Sequence, residues 1–69
     1  MNSKLDIPDT SLLLSVKGLQ NRLGIGRDLA YSLMHASGFP AIKIGSRYFV
    51  TEDALEKWLR RYEGREFVI

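Results

Sequence analysis

Only three residues, Gly24-Ile25-Gly26, separate two short amphipathic stretches of this chain. Upstream, Val16, Leu19 and Leu23 fall at i, i+3 and i+7, which is one stripe of a helix. Ser15 is a good N-cap for a helix beginning at Val16, because its hydroxyl accepts from an orphan backbone N–H of the first turn. Gly18 stands where a capping box wants Glu, so this start is incomplete. Gly24 accepts the left-handed conformation needed just past a last turn. Downstream, a second helix is expected from Arg27 to about Ala36, with Leu29, Ala30, Leu33 and Met34 as its apolar stripe. Asp28, Tyr31, Ser32 and His35 share its other face. Ser37-Gly38-Phe39-Pro40 stops it, since proline disfavours helical geometry in the residue before it. Two short helices joined by so short a glycine-containing turn form a helix-turn-helix.

The next segment changes period. Ala41-Ile42-Lys43-Ile44 and Arg47-Tyr48-Phe49-Val50 are β-prone runs separated by Gly45-Ser46, the signature of a two-residue hairpin with a primed turn. Thr51 then caps a third helix, with Glu52 and Asp53 in its first turn, where the helix dipole favours acids. Leu55, Trp58, Leu59 and Tyr62 make its stripe, and Gly64 ends it. The apolar stripes, with Trp58 and Phe49, are expected to form the core. Leu12-Leu13-Leu14 is too short for a helix and suits a brief strand. The fold expected is mainly α with a small antiparallel β wing: three helices plus a hairpin, with a third short strand at 12–14. It occupies residues 12–62, between a flexible N-terminal segment at 1–11 and a tail at 63–69. The end of that tail is apolar, and suits an added strand, a partner contact or disorder.

Sixty-nine residues make one domain. The chain has no cysteine, so neither disulfides nor thiolate metal sites can support it. Apolar packing must do so, and 45% hydrophobic residues suffice for a small core. The lone His35 builds no zinc site. Glu52, Asp53 and Glu56 are explained by their place at a helix start, and no metal or other cofactor is expected. No apolar run approaches the roughly 20 residues that span a bilayer, and residues 1–11 lack a signal peptide's apolar stretch. A soluble cytoplasmic protein without membrane contact is expected. Nothing resembles catalytic machinery: there is no nucleophile with a base, no phosphate loop and no carboxylate pair in a cleft. Charge is unevenly spread. Residues 15–50 carry five bases against Asp28, a local +4, while the rest carry five bases and seven acids, a local −2. A basic middle with a mildly acidic remainder suits a nucleic-acid face, as well as an ordinary solvated surface.

The order helix, turn, helix, hairpin, helix is that of a winged helix-turn-helix. Within it, Leu14-Ser15-Val16, Leu23-Gly24-Ile25, Arg27, Tyr31, Leu33, Phe39-Pro40-Ala41-Ile42-Lys43-Ile44-Gly45, Arg47 and Ala54-Leu55-Glu56-Lys57-Trp58-Leu59 resemble the excisionase-type DNA-binding family, small relatives of the MerR-like winged helix domains. The likeness covers about residues 12–62. It implies a second helix in the major groove, a wing on the adjacent backbone or minor groove, and a strand near 12–14 paired with the wing. It further implies an accessory that helps an integrase or recombinase excise DNA. One helix and one wing make few phosphate contacts, so cooperative self-association on tandem sites is one route to affinity. The sequence departs from the family at Gly26, where Ser or Thr is usual, at Gln20, where a small residue packs between the helices, and at Ser32, which is often basic.

The expected DNA-contacting residues follow from chemistry as well as position. Arg27 opens the second helix, where its planar fork suits a phosphate or a guanine edge. Tyr31 suits either a sugar, phosphate or thymine methyl, or packing against the wing. Asp28 and Ser32 share that face; Asp28 either accepts from a cytosine amino group, pairs with Arg27, or is simply solvated. His35 suits phosphate when protonated, or plain solvent. Lys43 and Arg47 flank the wing turn, where arginine favours a narrow minor groove and an edge-strand charge also discourages aggregation. Ser46 sits at the tip and Lys17 near the start of the first helix. A small transcription regulator, or a winged-helix interaction module that does not bind DNA, fits the same pattern.

Overall fold

Residues 12–69 are described by the structure, a computed structural model; the segment 1–11, expected to be flexible, lies outside them. The chain runs β1 (Leu13–Leu14), α1 (Val16–Leu23), α2 (Arg27–His35), β2 (Ile42–Ile44), β3 (Arg47–Thr51) and α3 (Glu52–Arg61). This is the expected winged helix-turn-helix, including the short strand before α1.

Local chemistry sets the helix ends. Ser15 Oγ accepts from Gly18 N at 3.2 Å, and Thr51 Oγ1 accepts from Ala54 N at 3.0 Å. Gly24 adopts φ 67°, and its N–H and that of Ile25 both donate to the Gln20 carbonyl, at 2.8 and 3.1 Å. This double acceptance satisfies the end of α1 while turning the chain into α2. Gly26 caps α2 without a side-chain hydrogen bond, as expected where Ser or Thr is replaced. Gly45 takes φ 63° at the first central position of the hairpin, the sign that both primed turns require there.

The sheet has the order β1-β3-β2, and both pairings are antiparallel. Leu14 faces Val50, while Ile42, Lys43 and Ile44 face Phe49, Tyr48 and Arg47. Val50 is fully buried in a core with Leu19, Ala30, Leu33, Met34, Phe39, Leu55 and Trp58. Since strand side chains alternate between faces, burial of Val50 also commits Tyr48 and Leu14 to the core side.

Two expected core residues fall outside the core, Phe49 by this alternation and Leu29 by the shortness of its helix. Phe49 is half-buried on the outer face of the sheet, with the Arg47 guanidinium 5.4 Å from its ring. Its cross-strand partner Ile42 is 43% exposed and Ile44 is 54% exposed. Leu29 was placed on the apolar stripe of the second helix, but is 47% exposed. Ala30, Leu33 and Met34 alone fill the narrow contact that so short a helix makes, and Leu29 lies beyond its edge.

The tail docks on its own chain. Phe67 meets the Trp58 and Tyr62 rings edge-on, at centroid distances of 4.9 and 5.0 Å. Trp58 also touches Phe39 at 4.9 Å and Tyr62 at 5.4 Å. The Trp58 Nε1–H is buried without an acceptor among the described residues. Such an orphan costs roughly 1–3 kcal/mol, set against aromatic contacts of about 0.5–1.5 kcal/mol each. Val68 and Ile69 remain exposed. Phe67→Ala is therefore expected to lower stability by about 1–3 kcal/mol, below the range for a fully buried ring. Val68→Ser should change it by less than about 0.5 kcal/mol. Urea unfolding of both variants checks this, and a Phe67→Ala midpoint equal to that of the parent would show that the tail contributes nothing.

Candidate nucleic-acid interface

Three elements converge on one open cleft of about 530 Å³. The start of α1 supplies Ser15, Val16, Lys17 and Gln20; the first turns of α2 supply Arg27 and Tyr31; the wing supplies Ser46, Arg47 and Tyr48. Five of the expected residues, Lys17, Arg27, Tyr31, Ser46 and Arg47, are thus brought together. Asp28 and Ser32 lie on the exposed surface of α2 and do not line the cleft. His35 and Lys43 join it indirectly, through Tyr48.

That connection is a run of stacked groups from helix to wing. The Arg27 guanidinium lies 5.5 Å from the Tyr31 ring centroid. Tyr31 stacks on His35 at 6.3 Å, and His35 lies 4.3 Å from Tyr48. Lys43 Nζ completes the run, 5.9 Å from the Tyr48 centroid. His35 Nδ1 lies 2.8 Å from the Tyr31 carbonyl oxygen. A carbonyl can only accept, so Nδ1 donates in this bond. His35 is therefore a strut between α2 and β3, a more constrained position than that of a freely solvated histidine. Cations lie near the first and last rings of the run, where the negative faces of the rings favour positive charge.

The remaining charge is sorted by pairing. Arg22 belonged to the basic middle of the sequence, but it faces α3: its Nε lies 3.5 Å from Glu52 and its Nη2 3.3 Å from Glu56. Lys57 pairs with Asp53 at 3.2 Å, and Arg60 with Glu56 at 3.3 Å. Among the described residues, Lys17, Arg27, Lys43 and Arg47 pair with no carboxylate. Arg61, at the end of α3, and Arg65, in the tail beyond it, are unpaired too. Asp28 likewise has no ion-pair partner among them, so of its alternatives the pair with Arg27 does not form. Exposed pairs contribute little stability, about 0–1 kcal/mol; here their effect is to neutralise the back of the molecule.

Sequence reasoning did not single out Tyr48 or Gln20 as lining the cleft. Tyr48 follows only once Val50 is seen to be buried, because it lies two residues before it and so on the same face. Gln20 was read as a departure within the helix packing; it lines the cleft instead, half-buried.

Helix, tight turn, helix and a hairpin laid beside the second helix define the winged helix-turn-helix class, an architecture that DNA-binding proteins use. Residues 13–63, more than half of the chain, match the model of a family described as helix-turn-helix domain, and the chain belongs to that family. Comparisons with curated proteins and with solved structures give no match. Among the described residues no helix is long and apolar enough to cross a membrane, and no group of three or more His, Cys, Asp or Glu side chains converges as a metal site.

If the run of rings couples the helix to the wing, His35→Ala and Tyr48→Ala should not be additive. A double-mutant cycle on unfolding free energy is expected to give a coupling of about 0.5–1.5 kcal/mol. Additivity within about 0.3 kcal/mol would show that the two rings merely lie close.

Proposed function

We propose that this protein binds double-stranded DNA as an excisionase-type accessory factor, inserting α2 into the major groove and laying the wing on the neighbouring backbone or minor groove. The observation that carries the reading is the convergence of Lys17, Arg27 and Arg47, without acidic partners among the described residues, on one cleft between the helix-turn-helix and the wing tip. A phosphate strand is a polyanion, and cations held unpaired along one groove bind it by releasing its counterions. Membership of a helix-turn-helix family supports the same partner.

In this reading α2 carries the base contacts. Arg27 reaches a guanine edge or the flanking phosphate, and Asp28, Tyr31, Ser32 and His35 present short donors and acceptors to the groove floor and sugars. Lys17, Lys43, Ser46 and Arg47 hold the backbone and carry no sequence information of their own. The reaction itself belongs to a separate integrase or recombinase; this chain supplies DNA geometry, not a catalytic group. One helix and one small wing make few phosphate contacts, so self-association on neighbouring sites supplies the missing affinity.

Fluorescence anisotropy with a mixed-sequence duplex tests this. Binding is expected to weaken steeply with salt. Arg27→Ala and Arg47→Ala should each weaken it several-fold, and each should reduce the slope of log K against log salt by about 0.9 per lost phosphate contact. Absence of binding at low salt, or variants that bind like the parent, would remove the cleft from the interface.

A further inference from the structure

The cleft contains one polar group that the charges around it do not explain. Gln20 lies on α1, between the turn carrying Lys17 and the start of α2, and lines the cleft with Arg27, Tyr31 and Arg47. It is half-buried, and its side-chain amide makes no hydrogen bond to any described residue. Its amide has no protein partner among the described residues and stays open to the cleft, so its donors are available to a ligand seated there. If packing alone mattered at this position, a small apolar side chain would serve, and alanine would also favour the helix.

We propose that Gln20 is a positioning residue whose side-chain amide donates to a DNA phosphate seated in the cleft. The inference rests on the DNA-binding reading and deepens it. Three considerations favour a phosphate over a base edge. Gln20 belongs to α1, not to the exposed face of α2 that carries Asp28 and Ser32. Its neighbours in the cleft include three cations, whose common ligand is an anion. The ring of Tyr31 and the hydroxyls of Ser15 and Ser46 add no negative charge to oppose one. The amide supplies two donors and no charge, so it fixes where the phosphate sits without adding to the long-range attraction.

This neutrality separates Gln20 from its neighbours experimentally. Duplex binding is measured by anisotropy across a salt series for the parent, Gln20→Ala and Gln20→Lys, with thermal melting of each. Gln20→Ala is expected to bind about tenfold more weakly, the factor that corresponds to about 1.4 kcal/mol for a hydrogen bond to a charged acceptor. Its salt slope should equal the parent's, because no charge is lost. Gln20→Lys keeps a donor and adds a charge, so its slope should steepen by about 0.9. If the parent binds with steep salt dependence, but Gln20→Ala binds within twofold of it, the positioning role is overturned and the DNA reading stands. Should Gln20→Ala fail to fold, Gln20→Met, which keeps the side chain's length without a donor, decides alone: about tenfold weaker binding supports the role, and binding within twofold of the parent overturns it. If the parent itself binds no duplex at low salt, both readings fall together.

Discussion

Val50 is where the wing is tied to the core. It is fully buried, and the strand that carries it pairs with β1 on one side and β2 on the other. A short hairpin has little stability of its own in water and needs a packed face to persist. One buried valine, with Leu14 opposite it, supplies that face and fixes which side of the strand looks inward. Tyr48 follows by alternation, and Tyr48 is the ring against which α2 leans through His35. The cleft has its third wall because the strand has this phase.

The parts of the molecule governed by local chemistry were legible in the sequence. Ser15 and Thr51 cap the helices they were expected to cap, and Gly24 turns the chain between α1 and α2. The hairpin, the strand before α1 and the family resemblance in its helix-turn-helix part followed from such signals. What was not legible is the phase of the wing. A run such as Arg47-Tyr48-Phe49-Val50 shows a strand without saying which face is buried. Ranked by apolarity Phe49 belongs inside, yet packing placed Val50 there and left Phe49 to the outer face. Leu29 escaped for a related reason: a nine-residue helix presents too narrow a contact to cover four apolar side chains.

Long-range pairings were equally hidden. Arg22 counted as part of a basic middle, and only the fold reveals that α3 brings Glu52 and Glu56 against it. Phe67 sat in a tail with no periodicity, and its place beside Trp58 and Tyr62 depends on a turn at Gly64 that sequence marks only as an ending. Of the candidate interface, the positions on α2 and at the wing tip were anticipated because charge and motif coincide there. The residues joining them, Tyr48 and Gln20, carry no charge and belong to no turn signal, so nothing local announced them.

The sorting of charge has a kinetic meaning. The cleft and wing carry Lys17, Arg27, Lys43 and Arg47, with Asp28 beside them on α2, a net +3, while the other described residues carry five bases and five acids and sum to zero. Among the described residues the excess charge is thus displaced to one side, which gives them a net electric dipole. Near a polyanion such a body feels a torque as well as an attraction, within about a Debye length, ~8 Å at physiological salt. On the proposed DNA-binding reading it would arrive already turned, cleft first. Raising the ionic strength would therefore cost the protein part of its aim along with part of its grip.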